Sequence, residues 1–403
     1  MRLLVISGAI PPLQAGESDH TLRLCRHLVD SGHDVHLLTT RSGILPSDLS
    51  VTAHRIARDW SWSDAPALVR LLRHCRPEGV LLVYSSWIYN DHPMVTFAPT
   101  VVRWVAPKAR FVTQFEIADG SRPYRTSLID RALWKGLLAL GGPNAHYAFG
   151  TLLRDSHRVV VLCEHHRLAL ESYHPGVSER VILLPPPPLL TVVPDSSGTM
   201  RRNYRRAQGV SPDEFLFAYY GYVYPNKGVD TLLKAFEAVA ARHPTARLVI
   251  AGGALTDQRR GTPYFEQLQQ MAEQRGIADR VIWTGEIRSD ADEGSLWLHA
   301  ADACVLPFDA GVSLHRSSVA AAAIHGRPIV TTKGPILESP PFVDRDNVLL
   351  CPPSDPVSLA AAMERVMEDP GLRLRLETGS RLLARNSFSW STAVDRTVAA
   401  LQA

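Results

Sequence analysis

Lysine is nearly missing from this 403-residue chain, which carries 43 basic residues of which only five are lysine. Cysteine is sparse too. Cys25, Cys75, Cys163, Cys304 and Cys351 are odd in number, widely scattered and never paired as C-x-x-C. Four sit in or beside apolar runs, a pattern of reduced core thiols that excludes a disulfide framework and a cysteine metal site, and suits a cytoplasmic protein. No uninterrupted apolar stretch reaches the ~18 residues that a spanning helix needs. The opening MRLLVISGAIPP is broken by Gly8 and Pro11-Pro12, so it is expected to be a first strand and not a signal peptide. Strong charge of either sign is absent as well, the formal net charge being +3. Through Pro194 there are 20 basic and 16 acidic residues, and beyond it 23 and 24. Nucleic-acid binders carry a far stronger basic footprint, so no nucleic-acid partner is expected; weak peripheral contact with an anionic membrane face is the most this charge permits.

What is present is apolar content, 45% of the chain, enough for two cores. LLVIS, a glycine-bearing loop, DHTLRLCRHLVDSGH and DVHLLTT alternate as strand, loop, helix and strand, the unit of a parallel sheet. APALVRLLRHC, GVLLVYSS, RFVTQFE, RVVVLCE and HHRLALESY continue it. Four prolines in LLPPPPLLTVV cannot lie in a helix or central strand and mark a hinge. The alternation then restarts with EFLFAYYG, GVDTLLKAFEAVAARHP, ARLVIAGG, YFEQLQQMAEQRGI and RVIWTG, followed by ACVLPF, SVAAAAIHG and RPIVTT. The expected architecture is α/β: two Rossmann-like doubly wound parallel-sheet domains facing across a cleft, with ligands at the carboxyl ends of the strands. Residues 1–190 form the first domain, 191–205 the hinge and 206–386 the second. Residues 387–403 are a closing helix expected to return to the first domain.

Two stretches suit an anion. In GYVYPNKGVD, Lys227 follows a strand and a turn and leads into a helix, beside free backbone N–H groups; the plainer alternative is a solvated first-turn lysine. In DAGVSLHRSSVAAAAIHG, Gly311, Val312 and Ser313 allow close backbone approach. Ser317 and Ser318 are expected to cap an alanine-rich helix, and Arg316 has the planar fork that grips an oxyanion. A buried helix with a surface arginine is the alternative there. SSWIYNDHP puts Trp87, Tyr89, Asp91 and His92 at a strand's carboxyl end, where Asp91 or His92 would assist an acceptor hydroxyl; a capped loop packed under Trp87 explains it equally well. Glu116 ends another strand and is a third acceptor or sugar candidate. The Glu164-His165-His166 run looks metal-like, but adjacent helical histidines diverge, so no metal site is expected. SRPYRTSLIDRALWKGLLAL is a basic amphipathic stretch suited either to an outer helix face or to anionic lipid.

Taken in order, GYVYPNKGVDTLLKAF, DRVIWTGEI, HGRPIVTT, FVDRDNVLLCPPSDPVSLAAAM and GHDVHLLTT resemble the GT-B glycosyltransferases of the large retaining group called family 4, also named glycosyl transferases group 1. The resemblance covers nearly the whole chain. It implies a nucleotide-diphosphate sugar bound mainly by the second domain, with Lys227 on the diphosphate, Gly221 and the stretch Gly311 to Ser318 around it, and the backbone of Gly285, Glu286 and Ile287 on the base. Gly16 would approach the phosphates from the first domain. The nucleotide sugar is then a substrate, no cofactor or metal is needed, and the acceptor is a glycan, a lipid-linked molecule or a small molecule, with peripheral membrane contact left open.

The departures are specific. Tyr222 stands where the family usually has an arginine, Ser313 and Ala321 where it has two glutamates, and Phe115 where a histidine is common. GVSLHRSS and PPPP resemble a branch lacking the paired glutamates, in which Arg316 restores the positive charge. A developing negative charge on the leaving diphosphate would be stabilised by Lys227, Arg316 and a helix N-terminus. DRDN holds a D-x-D, but its place in a stretch like the family's D-G-x-N loop speaks against a metal. The rival readings are a nucleotide-sugar epimerase of the same fold and a non-catalytic nucleotide-sugar-binding partner, the latter favoured by the absent glutamates.

Overall fold

The structure, a computed structural model, describes residues 1–13, 15–118, 132, 135–136, 138–139, 141–146, 148–254, 262–335 and 338–403. The basic stretch from Ser121 to Leu140 therefore lies almost wholly outside the described residues. The chain divides into two compact units: Met1–Pro185 with Trp390–Ala403, and Pro186–Ser389.

The first unit is built on seven parallel strands: β1 (Arg2–Ile6), β2 (Asp34–Thr40), β3 (Thr52–Ala57), β4 (Gly79–Tyr84), β5 (Arg110–Phe115), β6 (Arg158–Val161) and β7 (Val181–Leu183), in the order 3-2-1-4-5-6-7. Its central strands are apolar on both faces, as parallel strands covered by helices on both sides must be. Leu4 and Ile6 enter one core with Val80, Leu82 and Phe111, while Leu3 and Val5 enter another with Leu81, Val83 and Val112. The second core also takes Ala393, Val394 and Leu401 from the closing helix Trp390–Gln402. That helix packs on the helix Gly16–Asp30, with the Trp390 ring stacked on His27 at 4.6 Å. Strand β3 is not apparent in the sequence: TAHRIA buries only Ala57 and lies at the sheet edge, so it carries no buried run to betray it.

The second unit repeats the plan with six parallel strands: β8 (Phe215–Tyr220), β9 (Ala246–Ala251), β10 (Val281–Trp283), β11 (Ala303–Leu306), β12 (Ile329–Thr332) and β13 (Leu349–Cys351), in the order 10-9-8-11-12-13. The helix Val229–Arg242 buries Val229, Leu232, Leu233, Phe236 and Val239, the 3.6-residue face visible in its sequence. In both sheets the order reverses beside the first strand, between β1 and β4 and between β8 and β11, where such folds bind ligands.

The helix Thr199–Ala207 begins inside the stretch expected to be a hinge and runs past its end. Its arginines anchor it: Asp302 accepts from Arg201 at 2.6 Å, from Arg205 at 3.1 Å and from the Leu216 backbone at 2.7 Å. Arg205 is buried and would be left uncompensated in Asp302→Ala. That substitution is expected to cost about 2–3 kcal/mol in urea unfolding, whereas Asp213→Ala on the exposed turn nearby costs a few tenths.

All five cysteines are buried and none forms a disulfide. No helix among the described residues is long and apolar enough to cross a membrane.

Candidate functional site

In the second unit the carboxyl ends of β8 and β11 place two cations on one ring. Phe308, two residues beyond β11, is fully buried. The Lys227 Nζ lies 5.3 Å from the centre of its ring and the Arg316 Cζ 4.6 Å from it. Lys227 also lies 4.9 Å from the Tyr224 ring. The turn that delivers the lysine depends on Gly228: its φ is 71°, and a Cβ there would fall 1.9 Å from the carbonyl oxygen of Pro307. No side chain fits, so the first turn of the helix Val229–Arg242 packs directly on the end of β11. Burial, then the charge of Arg316, pulls the half-buried Lys227 ammonium down to about 7. Among the described residues Lys227 makes no ion pair. Each aromatic face contributes a favourable quadrupole to these cations, but an anion would satisfy them far better.

Arg316 occupies the N-cap position of the helix Ser317–Ile324 with extended backbone, and Ser317 is the first helical residue. The serine cap expected from the sequence is therefore not formed, and no side chain caps this helix. Its first backbone N–H groups are the kind an anion can use. Ser318 is buried, and a Cβ on Gly221 would stand 3.6 Å from its own Cβ. The preceding loop is held by Val312, whose N–H donates to Thr332 at 2.8 Å, and by Ser313, whose hydroxyl bonds the His315 ring at 3.0 Å. Gly311, with φ at 85°, packs against the Gly334 backbone.

From this cradle a wall of glycines runs along the carboxyl ends of β8, β9 and β10. A Cβ on Gly252 would lie 2.1 Å from the Gly221 carbonyl oxygen, and one on Gly253 would lie 2.8 Å from the Glu286 nitrogen. Gly285 adopts φ 71°, Glu286 is exposed and Ile287 half-buried. Gly221, Lys227, Gly285–Ile287 and Gly311–Ser318 thus border one backbone-lined strip in the second unit.

One residue of this strip escaped the sequence reading. Glu338 is buried and its carboxylate accepts the Leu314 N–H at 2.6 Å, so a carboxylate from beyond β12 clamps the loop that ends in Arg316. Ser313 and Ala321, at the two positions where glutamates were looked for, hold a hydroxyl and a buried methyl. In the D-x-D stretch, Asp344 accepts the Leu350 N–H at 2.9 Å while Asn347 accepts from Val343 and donates to Pro341.

The first unit has its own polar cluster at the β1–β4 reversal. Glu116 follows β5, and its Oε1 lies 2.9 Å from His20 Nδ1 and accepts from Gln114 at 2.7 Å. Glu17 accepts from the Trp87 indole at 3.0 Å. Burial and then the charge of Glu116 push Glu17 up to about 7. Burial works against ionisation of Glu116 too, but His20 and Gln114 outweigh it and hold that carboxyl below its usual range. Glu17 and His20 were not singled out in the sequence; both lie at the start of the face that Leu24, Cys25 and Leu28 bury, and His20 meets a partner 96 residues away. Phe115 is fully buried against Tyr84 and Phe149, so the ring expected to be a histidine belongs to the core.

The remaining candidates are spread out. Gly16 is the first residue of its helix, with open space around its Cα. His92 caps the turn Pro93–Phe97, its Nδ1 accepting the Met94 N–H at 3.1 Å, and its ring stands edge-on to Trp62. Asp91 sits in the left-handed region at φ 55°, with Oδ1 buried and unbonded among the described residues.

Because Glu17 keeps its proton in the folded state up to about pH 7 but loses it near 4.5 when unfolded, it makes the fold progressively less stable as pH rises from 4.5 to 7. Glu17→Gln is therefore expected to stabilise the protein by about 1–2 kcal/mol at pH 8 and by almost nothing at pH 4. Thermal unfolding of both proteins across that range checks the sign.

Residues 214–369 match the family described as glycosyl transferases group 1. A D-inositol 3-phosphate glycosyltransferase of Thermomonospora curvata is 31% identical over 199 residues, 48% of this chain and 43% of that protein. The chain thus spans less than half of that relative's length. A glycogen synthase of Mycobacterium tuberculosis is 24% identical over 98% of this chain and 93% of its own. Among solved structures, Anabaena Alr3699/HepE in complex with UDP aligns over 100% of both chains with a TM-score of 0.74 at 16% identity. The lipopolysaccharide-biosynthesis glycosyltransferase WaaG aligns over 98% of this chain and 99% of its own with a TM-score of 0.64 at 16% identity. These structural likenesses establish the GT-B fold.

Proposed function

We infer that this chain is a glycosyltransferase of the group 1 family that transfers a sugar from a nucleotide-diphosphate sugar to an acceptor hydroxyl. The observation that carries the reading is that Lys227 and Arg316 both lie against the Phe308 ring, at the sheet reversal and beside two helix N-termini. Two like charges brought together in a half-buried place, the Lys227 ammonium with its pKa driven down by burial and by Arg316, suit an anion. A diphosphate would complement that charge, and the glycines toward Gly285–Ile287 would let a nucleoside lie against bare backbone beyond it.

The chemistry follows from where charge develops. As the bond from the anomeric carbon to the diphosphate breaks, negative charge grows on the leaving oxygen. Lys227, Arg316 and the first N–H groups of the helix Ser317–Ile324 meet it with dipoles already in place. Arg316 supplies the guanidinium that Tyr222 does not, and Glu338 fixes the loop that carries it. Family resemblance further implies retention of anomeric configuration, with a donor phosphate oxygen taking the acceptor proton. The branch lacking paired glutamates accounts for Ser313 and Ala321, and the acceptor is assigned to the first unit.

Calorimetric titration with UDP, GDP, dTDP and ADP tests the donor site. One diphosphate bound in preference is the expected result, and UDP, held by the Anabaena protein, is the first to try. The corresponding nucleotide sugar should then yield a glycoside of retained configuration by NMR. Absence of binding by all four diphosphates would remove this reading, and an epimerised nucleotide sugar as product would replace it.

A further inference from the structure

In the first unit, the stretches that follow β3 and β4 carry groups that the leaving-group chemistry does not use. Asp59, Trp62, Asn90 and Asp91 lie on them, just beyond the carboxyl ends of the two strands. Resting on the transferase reading, we propose that these residues form a carbohydrate subsite in which the Trp62 indole seats a sugar ring and the polar side chains hold its hydroxyls, so that the acceptor is a glycan.

The platform is fastened from beneath. Asp64 is buried, and one oxygen of its carboxylate accepts the N–H groups of Arg58 at 3.0 Å, Asp59 at 3.3 Å and Trp60 at 2.9 Å. Trp60 is buried and stands edge-on to the buried Tyr89 at 4.8 Å, while the Asn90 amide donates to the Asp59 carbonyl at 3.1 Å. Those contacts tie the two stretches together. Trp62, two residues beyond Trp60, is instead 40% exposed and open to a ligand. His92 meets its ring edge-on at 5.6 Å and Phe97 at 5.8 Å with a 50° tilt, so neither stacks flat on it.

A single exposed apolar side chain needs no partner, but the neighbours of Trp62 point to one. Asp59 is exposed and close enough to His92 to feel its charge. Asn90 is exposed, and Asp91, half-buried, keeps its Oδ1 out of water with no hydrogen-bond partner among the described residues. A sugar ring matches this combination. Its face is a layer of C–H groups that takes an indole out of water, and its rim is hydroxyl. Ionised carboxylates and the Asn90 amide oxygen accept the hydroxyl hydrogens. An acyl chain would cover the indole equally well but leave the carboxylates beside it desolvated and unpaired.

The test uses the full chain and four probes, maltotetraose, cellotetraose, chitotetraose and mannotetraose, with affinities from saturation-transfer NMR. The expected result is that at least one binds, that the C–H protons of one ring receive the strongest transfer, and that Trp62→Ala weakens binding about tenfold. Trp62→Phe keeps an aromatic face and should recover most of that loss. Asp91→Asn, which suits the same left-handed backbone, should weaken binding about threefold. Circular dichroism checks the folding of each variant. Binding of none of the four probes, binding left unchanged by Trp62→Ala or by Asp91→Asn, or a Trp62→Phe protein no better than Trp62→Ala would overturn the proposal. So would Trp62-dependent pelleting with phosphatidylglycerol vesicles in place of glycan binding, which would make this a lipid surface. Calorimetry with the four nucleoside diphosphates on the same preparation separates the two readings. Trp62-dependent glycan binding without nucleotide binding removes the transferase and keeps the subsite, and nucleotide binding without glycan binding does the reverse.

Discussion

Replacing Lys227 with alanine is expected to lower kcat by about 10²–10³-fold, with a much smaller change in the KM for the nucleotide sugar. On the proposed reading the ammonium would sit where the leaving diphosphate gathers charge, so its contact would strengthen from bound donor to transition state, and only that difference accelerates the chemistry. Arg316→Ala should lose a comparable factor, because its guanidinium faces the same ring from 4.6 Å and acts on the same charge. The double variant should fall short of the product of the two losses, since groups serving one leaving oxygen are not independent. Lys234→Ala is the control. That lysine lies within the helix that Lys227 leads into and pairs with Asp230 at 3.1 Å, a half-buried i,i+4 pair whose loss costs about 0.5 kcal/mol of stability and no rate. Initial rates for the four variants, with far-ultraviolet circular dichroism to confirm folding, decide the matter. A Lys227→Ala enzyme within threefold of the parent would end the claim that this lysine stabilises the leaving group.

The position of Lys227 was visible in the sequence for a physical reason: the turn, the strand before it and the helix after it are contiguous, so local signals suffice. The same holds for Arg316, where an alanine run announces a helix and the residue before it must lie at the amino end. The cap was misjudged by one residue because Ser317 and Arg316 are equally compatible with the helix start, and only the extended φ and ψ of Arg316 settle which one precedes it. What escaped were groups brought together by the sheet. Glu338 reaches Leu314 across 24 residues and His20 reaches Glu116 across 96, and neither motif spacing nor helical periodicity encodes such encounters. The hinge was similarly obscured. Four prolines do forbid regular structure, but Arg201 and Arg205 find their partner in Asp302, about a hundred residues on, and that contact turns the end of the stretch into a helix of the second unit.

Nucleotide binding is expected to weaken about tenfold for each pH unit above 7, because the free site then loses the Lys227 proton that the diphosphate needs. The sign follows from the two states. Without a ligand, burial and Arg316 hold the ammonium at about 7, far below an ordinary lysine. A bound diphosphate adds negative charge beside it and restores the protonated form, so binding above pH 7 takes up a proton. Between pH 7 and 9 the dissociation constant should rise about a hundredfold, levelling off only at the higher pKa of the complex. The terminal phosphate, with its own pKa near ~6, is already fully ionised over most of that range and contributes little to the slope. Calorimetry in two buffers of different ionisation enthalpy measures the proton uptake directly, approaching one per nucleotide at pH 8 to 9. Lys227→Arg supplies the decisive contrast, since a guanidinium stays charged throughout and should flatten the profile even if it binds the diphosphate less tightly. A parent enzyme whose affinity is constant from pH 7 to 9, or an arginine variant with the same slope, would show that the proton belongs to another group and that Lys227 does not sit against the diphosphate.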